Sequence, residues 1–309
     1  MRSAPGDTRH VPHPAALVPA RRTVGLVPDP LAALAALAEH SRITAASERA
    51  RQACTELRWH QALRRRIPEC AAESRVRGAW ASAELDGARG SVEIVRDLMR
   101  GARPRHTDPD PAELVVHGAI AATALTEELA ASVRTSPRRV LARLHLAAAA
   151  GALPAPELGR PRTTTSVPEY AGMGPAPAPA QLTPRLAALD TILASEDLPA
   201  LLVLALAHGE LAALRPFARA NGLVARALDR ALLTATGLDP TGVTVIEAGH
   251  GAGGLAAYHG AVQAYGQGTL EGLLIWVEHC AVAITAGAAE GVAIADAVLA
   301  GRLHPPARN

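Results

Sequence analysis

Residues 208–230 read HGELAALRPFARANGLVARALDR, and this stretch decides how we interpret the fold. An apolar helical pattern runs into Arg215-Pro216-Phe217, the chain turns at Asn221-Gly222, and a second helical pattern begins there. A helix N-terminus after such a turn offers free backbone N–H groups and the positive end of the helix dipole. Because Arg215, Arg219 and Arg226 crowd the turn, the stretch predicts an anion or phosphate site. The alternative is an ordinary helical corner with solvated arginines.

The composition of the 309-residue chain excludes several classes of protein. The 31 basic residues are all Arg and nearly balance 29 acidic residues, so the formal net charge is +2 at pH 7. A nucleic-acid binder that works by bulk electrostatics needs a larger positive excess. An aromatic content of 2% leaves few stacking platforms for single strands. Since the chain has no Lys, a Schiff-base lysine, a lysine general base and a Walker-type phosphate lysine are all excluded.

Cysteine usage and hydropathy predict a cytoplasmic protein. Cys54, Cys70 and Cys280 are far apart in the sequence and form no CxxC pair, which fits a reducing compartment better than a disulfide framework. The N-terminal stretch carries prolines and charges where a signal peptide needs an apolar run. The most apolar stretches, 198–214 and 280–300, are interrupted by polar or charged residues, so we expect buried helices rather than membrane spans.

Helical periodicity dominates from Leu31 onward and predicts an all-α fold, a mainly helical bundle rich in Ala and Leu. The expected organisation is a disordered segment at 1–30, an N-terminal helical region at 31–110, a core domain at 111–301 and a tail at 302–309. We expect Ser91 to cap a helix that ends at Gly101. The best candidate for a strand is the TGVTVI run at 241–246.

One segment interrupts the helical pattern. Residues 153–185 read LPAPELGRPRTTTSVPEYAGMGPAPAPAQLTPR and are dense in Pro and Gly. An irregular segment of this length inside a compact domain is either a linker or a functional flap. Because of the arginine-rich turn that follows, we favour a flap that lies over a site rather than a linker between two helical halves.

The turn resembles the signature loop of Fic/DOC (Fido) proteins, whose pattern is H-P-F-x-[DE]-G-N-G-R-x-x-R. Five positions match this pattern in register, namely Pro216, Phe217, Asn221, Gly222 and Arg226. The family often has a His seven residues before the first residue of the loop, and His208 stands there. The Pro/Gly-rich segment lies where the family carries its target-positioning flap. The likeness continues downstream at Tyr258, His259 and Trp276.

A second motif upstream supports the resemblance. Ser82-Ala-Glu-Leu-Asp86-Gly87 is similar to the family's inhibitory-helix pattern [ST]-x-x-x-E-[GN], with Asp in place of Glu. In the family the inhibitory Glu pairs with the second Arg of the loop and blocks the γ-phosphate of the nucleotide. The resemblance therefore implies an Asp86–Arg226 ion pair that fixes the helical segment 82–100 against the loop. The alternative is that Asp86 only belongs to a turn before the next helix.

Four departures from the loop pattern argue against the family's reaction, which is transfer of AMP to a protein hydroxyl. The position of the general-base His holds Arg215, which cannot accept a proton. The position of the Mg²⁺-binding acid holds Arg219, which would repel the metal. Ala220 replaces the first Gly, and Leu223 replaces the first Arg of R-x-x-R. Loss of a base and of a phosphate clamp each costs about 10²–10⁴ in rate, so we expect AMP transfer to be nearly or wholly absent.

The first interpretation is therefore a Fido-like regulatory or binding module, a pseudo-enzyme of the AMP transferase family. Residual binding of ATP or another anion would not need Mg²⁺, and no metal site is predicted. The expected partner is an unidentified protein, without nucleic acid or a membrane, and the family's habit of self-association makes a homodimer a candidate assembly.

Two other functions stay open. One is an active nucleotidyltransferase that uses a displaced base such as His208 or His250. The other is an NAD(P)-dependent oxidoreductase, because Gly249–Gly254 satisfies G-x-G-x-x-G between the strand candidate and a helix. The scarcity of strand–helix–strand units argues against it. Glu247 and His250 are three residues apart on an expected loop, so they do not indicate zinc.

Overall fold

The computed structural model describes residues 30–168 and 173–303, and within these ranges the chain forms twelve α-helices and no β-strand. The first six helices are α1 (Pro30–Ala38), α2 (Ser41–Arg58), α3 (Ile67–Leu85), α4 (Val92–Met99), α5 (Pro111–Ala130) and α6 (Pro137–Ala148). The last six are α7 (Leu182–Ala194), α8 (Ala200–Leu214), α9 (Asn221–Ala235), α10 (Ile246–Gly251), α11 (Leu255–Gly266) and α12 (Leu270–Leu299). The all-α prediction is confirmed. The terminal segments expected at 1–30 and 302–309 lie almost wholly outside the described residues.

Helix α8 forms the centre of the bundle. Its sequence ALLVLALAHGELAAL is apolar on every side, and every residue from Leu201 to Leu214 is buried. A helix that is apolar all round must be enclosed by other elements, and α8 contacts α2, α7, α9, α11 and α12. The polar side chains of His208 and Glu210 therefore have to find partners inside the protein.

Helix α12 is thirty residues long, and by length and composition alone it could cross a membrane. Its buried face packs against α2, α8, α10 and α11. Trp276 of this helix is fully buried and donates its Nε1–H to the carbonyl oxygen of Ala205 in α8 at 2.7 Å. Packing inside the bundle therefore accounts for the apolar residues on the buried face of α12, whereas Ile275, Val282 and Leu299 are exposed.

The strand prediction at 241–246 is wrong. Residues 243–245 belong to no helix or strand and pair with no strand in the described parts of the chain, and α10 begins at Ile246. Val243 and Val245 are fully buried in a hydrophobic cluster with residues of α2 and α12. The β-branched run therefore reflects burial of a connecting segment rather than pairing in a sheet.

The segment 82–100 is not one helix. Helix α3 ends at Leu85, and Gly87 takes a left-handed conformation (φ +88°) that lets the chain leave the helix. Helix α4 then begins after Ser91, which stands at the predicted N-cap position but makes no capping hydrogen bond through its side chain. Gly101 (φ +70°) follows the end of α4, as expected.

The Pro/Gly-rich connection between α6 and α7 contains two single turns of 3₁₀ helix, at 155–157 and 179–181, and no longer element among its described residues. We call residues 154–181 the flap; the four residues 169–172 within it lie outside the described residues.

Candidate functional site

The turn between α8 and α9 has a backbone that its own side chains hold in place. Arg215 (φ +45°) and Ala220 (φ +61°) both lie in the left-handed region, which costs a non-glycine residue about 1 kcal/mol or more. The amide of Asn221 bridges the turn, because its Oδ1 accepts the N–H of Phe217 and its Nδ2 donates to the Phe217 carbonyl, both at 2.9 Å. The ring of Phe217 stacks on His145 of α6 with centroids 3.9 Å apart. The Asn and Phe of the motif thus shape the turn.

The three arginines of the turn do not share one site. Arg215 is buried, and its guanidinium donates to the carbonyl oxygens of Gly174 and Pro175 in the flap, at 3.0 and 3.1 Å. Arg219 is exposed to solvent. Arg226 is fully buried against α3. The three guanidinium groups therefore lie in different surroundings, and that of Arg226 approaches the first turn of α9 at Gly222. The anion site itself stays a prediction.

Arg162, which the sequence analysis missed, ties the flap to the turn. Its backbone N–H donates to the Pro216 carbonyl at 2.8 Å, and its Nε donates to the Arg215 carbonyl at 2.7 Å. Its Nη1 and Nη2 donate to the carbonyls of Thr164 and Pro177 within the flap. Burial, together with the neighbouring Arg215, lowers the pKa of Arg162. These bonds place the flap on the turn. The only feature of the sequence that could have indicated this role of Arg162 was an arginine within a Pro/Gly-rich segment.

The upstream motif and the turn meet at Arg226. Its Nε donates to Ser82 Oγ and its Nη2 to the Ser82 carbonyl, both at 2.9 Å, and Nη2 lies 2.6 Å from Asp86 Oδ1. Its Nη1 donates to the hydroxyl of Tyr258 at 3.4 Å. The ion pair that the resemblance implies is therefore present. Asp86 is also the C-cap residue of α3 before Gly87, so it belongs to a turn as expected, but not to a turn only.

The carboxylate of Asp86 lies at the start of α9. A Cβ built on Gly222 would be 2.5 Å from Asp86 Oδ1 and 2.9 Å from Arg226 Nη1, so these groups approach the first turn as closely as glycine alone permits. A carboxylate at a helix N-terminus is stabilised by the positive end of the helix dipole. An anion of the chain itself therefore stands where the sequence predicts an external one.

Behind Tyr258 lies a buried cluster that joins α8, α9 and α10. His208 Nε2 is 2.7 Å from the Tyr258 hydroxyl, and His208 Nδ1 is 2.5 Å from Asp229 Oδ2. The same Oδ2 is 3.0 Å from His250 Nε2, and His250 Nδ1 is 3.2 Å from His279 Nε2. His208, Asp229 and His250 have no exposed surface. We call these three residues the His–Asp–His cluster.

Burial fixes the charges of the cluster. Desolvation lowers the pKa of His208 well below its usual range and that of His250 to about 3, and it raises the pKa of Asp229 to about 6. Both imidazoles are therefore uncharged near neutral pH. Since their nitrogens already bond protein groups and reach no solvent, neither ring is placed to take a proton from an external hydroxyl.

A second buried ion pair was not anticipated from the sequence. Arg230 Nε and Nη2 donate to the two carboxylate oxygens of Glu247, each at 2.8 Å, and Nη1 donates to Ser74 Oγ at 3.0 Å. A Cβ built on Gly78 would lie 2.4 Å from Arg230 Nη2. A glycine in the middle of a helix was the available signal, because it lowers helix propensity unless close packing requires it.

Of the glycines in 249–254, Gly249 serves helix packing and Gly254 serves a turn. Gly249 and Gly251 belong to α10, and a Cβ on Gly249 would lie 1.8 Å from the Ala283 carbonyl oxygen of α12. Gly254 (φ +83°) precedes α11. A dinucleotide fingerprint needs a strand before it and a parallel sheet around it. Since no strand occurs in residues 30–168 and 173–303, the oxidoreductase interpretation lacks that framework.

Solved structures of Fic proteins are similar to this chain. A Fic family protein from Desulfovibrio desulfuricans G20 has a TM-score of 0.64 at 19% identity, covering 84% of this chain and 76% of that one. A fragment of Fic-1 from C. elegans has a TM-score of 0.56 at 20% identity, covering 85% and 80%. A Fic domain containing signaling protein from Bacteroides thetaiotaomicron VPI-5482 has a TM-score of 0.57 at 13% identity, covering 81% and 98%.

By sequence, the chain matches no family model and no curated protein. At identities of 20% or less, the structural likeness carries the fold and not the reaction. The twelve-helix architecture of the described residues and these three similar structures together establish that the chain has the all-α fold of Fic proteins.

Proposed function

We propose that this chain is a regulatory or binding module built on the Fic fold, without the AMP transfer reaction. The observation that carries the proposal is the state of Arg215, at the loop position of the family's general base. Its guanidinium is buried and donates to two flap carbonyls. A guanidinium stays charged and cannot accept a proton, so this side chain cannot activate a target hydroxyl. It fastens the flap instead.

Metal-independent anion binding follows from the replacement of the family's Mg²⁺-binding acid by Arg219. In the family an acid at the position of Arg219 holds Mg²⁺ on the nucleotide. Here the exposed guanidinium of Arg219 repels a cation and attracts phosphate. We therefore expect that any affinity for ATP does not increase when Mg²⁺ is added.

Asp86 is the internal competitor in this proposal. Its carboxylate bonds the guanidinium of Arg226 beside the first turn of α9. An entering phosphate would need the same guanidinium. A bound phosphate and the Asp86 carboxylate cannot both occupy that position, because two anions in one partly buried place repel each other. Removal of the carboxylate should therefore expose a phosphate site.

The test is a calorimetric titration of ATP, with and without Mg²⁺, into the wild-type protein, Asp86→Ala and Glu84→Ala. Glu84 is exposed in the same helical turn and serves as the matched control. We expect Asp86→Ala to bind ATP at least about tenfold more tightly than the other two proteins, irrespective of Mg²⁺. The proposed role of the Asp86–Arg226 ion pair is refuted if Asp86→Ala neither loses stability nor gains affinity for ATP.

Two other results would point to different functions. Mg²⁺-dependent ATP binding, or labelling of a target or of the protein itself by ATP, would reopen the nucleotidyltransferase interpretation. Binding of NADH in the same cell would favour the oxidoreductase.

The proposed setting is a reducing compartment such as the cytoplasm, with a protein partner. Cys54, Cys70 and Cys280 are buried free thiols, as reducing conditions allow. Self-association is proposed from the habit of the family alone. Light scattering checks it, because a monomer has a mass of 31.9 kDa and a dimer twice that value.

A further inference from the structure

The His–Asp–His cluster has the donor set of a metal site. One ligand atom from each of His208, Asp229 and His250 can be chosen so that all three lie within 4.8 Å of one another. Both imidazoles converge on a single oxygen, Asp229 Oδ2. The other oxygen, Asp229 Oδ1, is buried without a hydrogen-bond partner. A fully buried carboxylate oxygen without a donor costs free energy, and a cation placed between the three side chains would satisfy it.

The surroundings of the cluster hold both rings in a ligating orientation. A histidine that binds a metal through one nitrogen commonly has its other nitrogen fixed by a hydrogen bond. Here His208 Nε2 is held by the Tyr258 hydroxyl at 2.7 Å, and His250 Nδ1 is held by His279 Nε2 at 3.2 Å. The nitrogens that remain, His208 Nδ1 and His250 Nε2, are the two that face Asp229.

We propose that His208, Asp229 and His250 bind a divalent transition-metal ion, with Zn²⁺ as the expected occupant. Two imidazole nitrogens and a carboxylate suit zinc and its neighbours in the first transition row, whereas Mg²⁺ prefers an all-oxygen shell. Asp229 supplies one or both carboxylate oxygens, so the three side chains offer up to four ligand atoms.

Binding needs a small rearrangement of the cluster and no net loss of imidazole protons. Ligand atoms around a tetrahedral Zn²⁺ with bonds of about 2.0–2.1 Å are about 3.4 Å apart. His208 Nδ1 and His250 Nε2, which lie 2.5 and 3.0 Å from Asp229 Oδ2, therefore move away from this oxygen to admit the ion. The proton on each coordinating nitrogen moves to the other nitrogen of the same ring. There it is donated to the Tyr258 oxygen or to His279, and both rings stay uncharged.

The proposed ion has a structural role. The three ligands come from α8, α9 and α10, and none has exposed surface. The ion would therefore be taken up as the chain folds and would link the central helix to its two neighbours, independently of nucleotide binding at the turn.

The test is the metal content of protein expressed with a histidine-free tag in zinc-supplemented medium and dialysed against chelator at neutral pH. We expect about one Zn²⁺ per wild-type chain and a loss of most of it in Asp229→Asn and His250→Gln. His117→Gln, on α5 and outside the cluster, is the matched control and should keep the ion.

A second measurement uses the wild-type protein alone, so that a folding defect in the variants cannot decide the result. Protein refolded with Co²⁺ in place of Zn²⁺ should show the visible d–d absorption of four-coordinate cobalt with nitrogen and oxygen ligands. Wild-type protein that carries no more metal than Asp229→Asn, or cobalt-refolded protein without these bands, would overturn the proposal and leave a hydrogen-bonded cluster.

Discussion

Replacement of Gly249 by Ala should destabilise the protein much more than the same change two residues later at Gly251. A Cβ on Gly249 would lie 1.8 Å from the Ala283 carbonyl oxygen and 2.6 Å from its carbon. On Gly251 the nearest atom would be a Leu85 methyl at 3.7 Å, an ordinary contact. The two glycines belong to the same short helix, so the pair isolates the effect of packing.

The magnitude follows from the contact distances. To bring the added methyl of residue 249 to an ordinary separation of 3.4 Å, α10 and α12 must move apart by 1.6 Å. Overpacking of this kind costs about 1–3 kcal/mol. A backbone carbonyl in a thirty-residue helix can move aside less than a flexible side chain, so we expect a cost in the upper part of this range. The better helix propensity of Ala offsets about 0.5–1 kcal/mol. We therefore expect a net loss of about 2 kcal/mol for Gly249→Ala and a small gain for Gly251→Ala.

Urea denaturation followed by far-UV circular dichroism measures both changes, because helix content reports on unfolding throughout this fold. The reasoning is refuted if the two variants have free energies of unfolding within about 0.5 kcal/mol of each other. If Gly249 instead contacted a dinucleotide, the variant would lose NADH affinity while its stability stayed near that of the wild type.

Three further results are expected. Ala220→Gly should raise the free energy of unfolding by up to about 1 kcal/mol, seen as a higher melting temperature, because glycine adopts the left-handed backbone without strain. Asn221→Ala should lower it by about 2–4 kcal/mol in urea denaturation, because the buried N–H and carbonyl of Phe217 both lose their partner; a loss below 1 kcal/mol would contradict this. Burial lowers the pKa of His145 to about 4 from an unfolded value of 6.5. The unfolded chain therefore binds more protons between these values, and stability falls as the pH drops from 6.5 toward 4, by about 3 kcal/mol at most for this group. His145→Asn should flatten that part of the pH–stability profile, and an unchanged slope would contradict the assignment.

The turn before α9 could be predicted because its geometry depends on residues close in sequence. Asn221 bonds both backbone groups of Phe217 four positions earlier, so the motif and the structure that it forms occupy the same short stretch. The pairing of Asp86 with Arg226 spans 140 positions, and it was implied only by the resemblance of two separate motifs to one family.

The partners of Arg215 could not be predicted in the same way. Its acceptors are backbone carbonyls about forty positions upstream in the flap. Because every residue has a backbone carbonyl, the sequence does not indicate which ones act as acceptors. The His–Asp–His cluster was hidden for a related reason. Its three residues are spaced 21 positions apart on three helices, and the loop expected at His250 is a helix.

The strand prediction failed because β-branched residues report burial as well as pairing. Val243 and Val245 line the space between α2 and α12, where an irregular connection passes through the core. A short apolar run between turn residues looks the same in both situations, and only the surrounding helices distinguish them.

The attachment of the flap has a consequence for how this segment tolerates change over evolution. Arg162 and Arg215 hold it through main-chain oxygens of Thr164, Gly174, Pro175 and Pro177, which every amino acid supplies. Most substitutions in the flap therefore leave the acceptors in place, with the exception of Gly174, whose backbone is left-handed (φ +69°). An insertion or deletion between the anchor points shifts acceptors out of reach. Homologues should vary in flap composition except at the left-handed Gly159 and Gly174, keep its length between anchor points, and preserve the two arginines.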